Sequence, residues 1–340
     1  MKLKNLFLLS LMFVFISFVA MSCGKNDVDP TDPDNPVDPG PGPSTNCPVG
    51  AINGLFTVNE DGDMVYFSKG NLQYQASSHT WRFAEHQWDF VGSEEVYHGN
   101  PNGTVEGSSN HLVSASYSGW IDLFPWGTSG REHGAINYQP ESTDYENYKY
   151  YAYGDQYKDL FEETGEADWG YNAISNGGNK TVTWHTLKSS EWKYLLDERQ
   201  TPSGIRFAQA QIMGVFNQDV INGIVIVPDN WDISTFSFMN ENGYGTFSSN
   251  VISVEEWNTL EEAGCVFLPA AGRRSNSVDG ICPEYPNTNG YYWSSSHGTT
   301  HISASDVYFT NNLLWVHTGP GLERRVGEAV RLVQYKMHYQ

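Results

Sequence analysis

The chain has 340 residues and carries 19 basic against 40 acidic side chains, a formal charge of −21, with 14% aromatic and only 17% charged residues. Such a surface repels nucleic acid and anionic lipid head groups, so neither is expected as a partner. The folded portion is long enough to bury a sizeable core.

Residues 1–22 are expected to be a signal peptide. Lys2 and Lys4 precede an apolar run from Leu6 to Ala20, which breaks at Met21-Ser22-Cys23. A short cationic head, about 15 apolar residues and a small-residue cleavage point describe a secretory leader better than a membrane span. A cysteine at this point resembles the lipobox of bacterial lipoproteins, which implies acylation of Cys23. Each buried acyl methylene contributes roughly 0.8 kcal/mol, so several chains hold a protein firmly to a bilayer. The alternative is ordinary cleavage and secretion.

Residues 23–46 form the expected tether. Gly24 to Asn46 repeats Asp-Pro steps and has no apolar periodicity. Proline blocks regular structure and the aspartates repel one another, so the segment is read as an extended, disordered spacer. Asp27 and Asp29, soon after Cys23, resemble the export signal of outer-surface lipoproteins in the Bacteroidota. The expected location is therefore the outer membrane, facing the cell surface, with the periplasmic face as the alternative.

Residues 47–340 are expected to be one elaborated domain, with a β-rich part at 47–180 and a core at 181–336. Leu55–Val58 and Met64–Phe67 flank Asn59-Glu60-Asp61-Gly62-Asp63, a hairpin with Asp-Gly turn chemistry. Asn71–Tyr74 and Thr80–Phe83 continue as short strands. From Gly92 to about Thr181 the chain is rich in Gly, Ser, Asn and Tyr, which reads as irregular structure tied down by aromatics.

A helix is expected from Ser189 to Glu198, with Trp192, Leu195 and Leu196 at helical spacing. The clearest helix spans about 254–263, where Ser253 and Glu256 make a capping box, Ile252 staples against Trp257, and Gly264 supplies the stop. The Trp-x-x-Leu stripe on both reads as core. Strands are expected at Ile205–Met213, Gly223–Val227, Val266–Leu268, Gly290–Ser294, Ala304–Phe309, Leu313–His317 and Ala329–Gln334. Two helices and a run of mainly antiparallel strands give an α+β class.

Three cysteines follow Cys23: Cys47, Cys265 and Cys282. A Cys265–Cys282 bridge would close a short loop worth roughly 3 kcal/mol, with buried free thiols as the open alternative.

Several motifs then fall in order: Trp184-His185-Thr186-Leu187, Glu191-Trp192, Ile226-Val227-Pro228-Asp229-Asn230-Trp231, Phe267-Leu268-Pro269-Ala270-Ala271-Gly272-Arg273, Gly290-Tyr291-Tyr292-Trp293-Ser294-Ser295 and Ala329-Val330-Arg331-Leu332-Val333. Together with Tyr66–Tyr74 and Asp122–Gly130 upstream, this string resembles the Fibrobacter succinogenes major paralogous domain and related Bacteroidota surface proteins. Those are similar to the formylglycine-generating-enzyme type of C-type lectin-like fold. The resemblance implies two helices on twisted antiparallel sheets with an N-terminal β extension, and function in irregular loops. A fold alone does not supply an activity.

The enzyme branch of that group uses C-terminal cysteines that have no matching pair here. Calcium lectins use Glu-Pro-Asn and Trp-Asn-Asp triplets; Glu284-Tyr285-Pro286-Asn287 inserts a tyrosine and Trp257-Asn258-Thr259 falls in a helix. No cofactor or metal is expected, Ca2+ being unsupported by motif. No nucleophile elbow, zinc motif, phosphate loop or dinucleotide fingerprint is present either, so catalysis is not expected.

Candidate ligand residues are Tyr145, Tyr148, Tyr150, Tyr151 and Tyr153, whose amphipathic rings suit sugars or proteins. By analogy with late-strand loops of lectin-like folds, His297, His301, Trp315, His317, Arg324 and Arg325 join them. Arg324 and Arg325 suit a carboxylate, or pair with local acids. Arg331, flanked by Val330 and Leu332, is expected to make a structural contact. The expected role is non-catalytic display of a lectin-like domain that binds a glycan, peptide or protein. The alternatives are a structural or adhesin subunit of a surface assembly, and a glycan-active enzyme.

Overall fold

In the Asn59–Asp63 turn, Asn59 Nδ2 donates to Asp63 Oδ2 at 2.9 Å and Asn59 Oδ1 accepts from the Asp63 amide at 3.0 Å, while Gly62 takes φ +84°. That turn sets the register of the first hairpin, with Phe56 opposite Val65. A computed structural model describes residues 47–91, 116–130, 132–133, 136–137, 140, 156–162, 165–215, 220–243, 245–277 and 280–337. The expected leader, Cys23, the tether and Tyr145, Tyr148, Tyr150, Tyr151 and Tyr153 lie outside those residues.

The strands in chain order are β1 Phe56–Thr57, β2 Met64–Phe67, β3 Leu72–Gln75, β4 Thr80–Phe83, β5 Glu132–His133, β6 Ile136–Asn137, β7 His185–Thr186, β8 Phe207–Met213, β9 Val220–Ile226, β10 Val251–Ser253, β11 Val266–Pro269, β12 Arg273–Ser277, β13 Gly280–Glu284, β14 Gly290–His297, β15 Ser303–Thr310, β16 Leu313–Val316, β17 Leu322–Glu323 and β18 Leu332–Tyr335. The helices are α1 Ser189–Lys193, which continues as a π turn over Tyr194–Glu198, and α2 Val254–Glu262. The class is α+β, dominated by sheets.

One sheet runs β1-β2-β18-β7, a second β10-β8-β9-β11, and a third β14-β15-β16 with β17 also on β15. In the first, the late strand β18 lies between β2 and β7, so the sheet crosses the expected division at residue 180. The second is mixed, because β10, a strand not expected from the sequence, pairs with β8 in parallel. The chain loops through 226–250 between β9 and β10 and returns to β8 from the same direction. Ile224, Val225, Ile226, Val266, Phe267 and Leu268 are all buried, which is why their segments read as continuous apolar runs.

Both helices follow their sequence signals. Ser253 Oγ accepts from the Glu256 amide at 3.2 Å and Glu256 Oε2 accepts from the Ser253 amide at 2.8 Å, closing the capping box. Ile252, Trp257 and Leu260 are buried, as are Trp192, Leu195 and Leu196. The helix expected over Ser189–Glu198 widens after Lys193. The π turn keeps the adjacent Leu195 and Leu196 both inside and delivers Arg199 to Asp229 at 2.9 Å.

Among the described residues, buried tryptophans tie irregular segments together. Trp126, Trp169, Trp184 and Trp293 are buried, and their indole N–H groups donate to the carbonyls of Ser294, Thr128, Gly177 and Phe124 at 2.9, 3.1, 2.9 and 2.7 Å. Each ring buries apolar area while satisfying a loop carbonyl. Arg331 holds the sheet interior together: Nη2 donates to Gln87 Oε1 at 2.6 Å and Nη1 to the Phe267 carbonyl at 3.4 Å, so its structural role stands.

Cys265 does not pair with Cys282. It is a free, buried thiol at the entry to β11, whereas Cys282 sits opposite Ser275 in the separate β12–β13 hairpin. Burial pushes the Cys265 thiol well above the usual range, so it acts as a small apolar side chain. Pro43–Gln340 is one compact unit.

Candidate functional site

The sheet β14-β15-β16 has two unlike faces, because side chains alternate along each strand. Tyr292, Val307, Phe309 and Val316 point into the core beside Trp192 and Leu195. Gly290 opposite Phe309 is required here: a Cβ would lie 2.0 Å from the Phe309 ring. The other face carries Tyr291 and Trp293 on β14, Asp306 and Tyr308 on β15, then Trp315 on β16 and His317 just beyond it. The registers Tyr291↔Tyr308, Trp293↔Asp306 and Tyr308↔Trp315 put them side by side.

One end of that face is closed. Trp293 packs in a second core with Phe124, Trp126 and Val330. The other end carries an aromatic row that runs from the buried Tyr291 to the exposed Trp315. Tyr291 and Tyr308 stack at 4.9 Å and 29°, Tyr308 and His317 lie parallel at 6.3 Å and 5°, and His317 meets Trp315 at 5.5 Å and 40°. The Arg273 guanidinium lies 5.2 Å from the Tyr291 centroid and caps the inner end. The outer end is Trp315, 58% exposed on an edge strand.

Trp315 is the most exposed member of the row at 58%, whereas Tyr291 is buried. Beside Trp315, Tyr308 Oη and His317 Nε2 have no hydrogen-bond partner among the described residues. The site therefore combines a flat apolar platform with two polar tips, an arrangement suited to binding.

Beneath the row lie two buried acids. Asp306 Oδ1 and His317 Nδ1 are 2.8 Å apart, and the His317 amide donates to the Asp306 carbonyl at 2.8 Å. Hydrogen bonding to Asp306 raises the His317 pKa, against a smaller effect of burial. Burial raises the Asp306 pKa despite His317. Glu328 is fixed through backbone bonds with Phe124 in both directions, at 2.9 and 3.0 Å. Its side chain has no exposure and neither carboxylate oxygen has a hydrogen-bond partner among the described residues. Burial first, then Asp306, hold its carboxyl well above the usual range, with Arg273 opposing.

The remaining expected site residues scatter. His297 Nδ1 contacts its neighbour's carbonyl at Gly298, 2.7 Å away, and its ring meets the exposed Tyr157 edge-on at 5.7 Å. His301 is exposed in the β14–β15 turn. Among the described residues no group of three or more His, Cys, Asp or Glu side chains is arranged to hold a metal. Arg324 is not a ligand grip. It is buried, donates from Nε to the Ser303 carbonyl at 3.0 Å and from Nη2 to the Gln156 carbonyl at 3.3 Å, and lies 4.4 Å from the Trp126 centroid. Arg325 pairs with Glu323, the local acid two residues away.

Sequence reasoning found Trp315 and His317 but missed Tyr291, Tyr308, Asp306 and Arg273. The alternation Asp306-Val307-Tyr308-Phe309 was a usable signal for two of them: one face is apolar, the other polar or amphipathic. Nothing in the sequence marks Glu328. Compared with protein-family models, curated proteins and solved structures, the chain matches none.

Proposed function

We propose that the chain is a lipid-anchored outer-membrane protein that displays a non-catalytic, C-type lectin-like recognition domain of the major paralogous type at the cell surface. The observation that carries this reading is the aromatic row of β14–β16, ending in an exposed Trp315. The leader, the Cys23 lipobox and the Asp-Pro tether support display, and no helix among the described residues is long and apolar enough to cross a membrane. The partner is a glycan or protein met outside the cell.

A glycan-active enzyme is the second reading, favoured by the two acids with raised pKa values. Against it, Asp306 and Glu328 have no measurable exposure and underlie the row without lining it. Proteolytic shaving of intact cells, followed by glycan-array and envelope-protein capture with the full chain, tests the proposal. A ligand lost on Trp315→Ala supports it. Resistance to shaving, or turnover abolished by Glu328→Gln, overturns it.

A further inference from the structure

We propose that the exposed end of the β14–β16 face is a calcium-independent saccharide subsite, in which a neutral pyranose ring stacks on Trp315 and its hydroxyls bond to Tyr308 Oη and His317 Nε2. The inference rests on the recognition reading above and assigns that site its ligand class.

The geometry supplies the three parts such a ligand needs. A pyranose presents an apolar face of C–H groups bounded by a rim of hydroxyls. Trp315, 58% exposed, offers the largest flat apolar face on the strand. His317 is fixed from behind: Nδ1 engages the buried Asp306 at 2.8 Å and the ring lies parallel to Tyr308. Its Nε2 is thereby held at the surface, next to the indole, on a side chain that is 27% exposed. This fixed orientation removes the ordering cost a free histidine would bring to a ligand. The chain charge of −21 works against a polyanion, which selects a neutral sugar. A peptide hot spot would instead need a recessed, desolvated pocket around the aromatic anchor, whereas Trp315 stands proud of an edge strand. Among the described residues no group of three or more His, Cys, Asp or Glu side chains is arranged to hold a metal, and the contact proposed uses stacking and hydrogen bonds.

The test is affinity electrophoresis of the full chain in gels containing a β-glucan, an α-glucan, a mannan, an N-acetylglucosamine polymer or a polyuronate, each with and without a chelator. The expected result is retardation by at least one neutral polysaccharide, unaffected by chelation. Trp315→Ala should weaken it by roughly tenfold or more, Trp315→Phe should retain most of it, and His317→Ala should give an intermediate loss. A thermal melt of each variant confirms folding, which an exposed position is expected to leave intact. Equal retardation of wild type and Trp315→Ala overturns the subsite while leaving recognition elsewhere on the domain possible. Retardation by polyuronate only, or loss on chelation, overturns the neutral, metal-free assignment. No retardation by any polymer overturns the saccharide class; the recognition reading itself fails only if envelope-protein capture is also empty.

Discussion

His317 Nδ1 and Asp306 Oδ1 lie 2.8 Å apart, a hydrogen bond between a partly exposed imidazole and a carboxyl group with no exposure. Both groups bind protons more tightly in the fold than in the open chain: Asp306 raises His317, and burial raises Asp306. The contribution of His317 to stability is complete below the ordinary histidine value of 6.5 and is lost as pH rises through its higher folded value. The raised Asp306 works in the same direction. Thermal stability is therefore expected to fall as pH rises past about 6.5, and Asp306→Asn should flatten that slope. A slope unchanged in the variant contradicts the pairing.

Glu328 gives a second pH-dependent prediction. Its folded pKa lies well above the ordinary 4.5, so folding loses stability as pH rises through the window between them and the acid is forced to ionise. Glu328→Gln keeps the shape and removes the titration. Melting temperatures across pH should decline less steeply in the variant than in wild type. Parallel curves would place the protonated acid elsewhere.

Trp257 has no exposure and meets Phe267 edge-on at 5.5 Å, filling the space between α2 and β11. Trp257→Ala should cost about 3–5 kcal/mol in chemical denaturation. Ser253→Ala, which opens the capping box of the same helix, should cost only about 1 kcal/mol. Equal losses would mean that the indole carries no more of the core than the cap does.

Cys23→Ala should release the protein from membrane fractions and abolish its labelling with a clickable fatty acid. Acyl labelling that persists in the variant refutes lipidation at Cys23.

The parts of the fold that were legible in the sequence are those set by local rules. The Asn59–Asp63 turn, the Ser253–Glu256 cap and the strand over 304–309 each declare themselves within a few residues, and each formed as expected. The parts that were not legible depend on partners far along the chain. Parallel pairing of β10 on β8 and the insertion of β18 between β2 and β7 follow from packing, which no local pattern encodes. The same distinction divides the site. Trp315 and His317 were legible as an aromatic and a histidine in a late strand. Arg324 misled because its charge suggested a surface grip, whereas Trp126 and two backbone carbonyls hold it inside. Glu328 was invisible because its character comes from burial beside Asp306, not from its neighbours in sequence.

The central claim is that the outer face of the last sheet meets the ligand. A photo-crosslinking residue at Leu313, two positions before Trp315 on the same face, compared with one at the exposed Met239, tests it on intact cells. The account expects specific adducts from position 313, suppressed by excess unlabelled full-length protein, and none from position 239. Adducts from position 239 alone, or equal unsuppressed labelling from both, would contradict it.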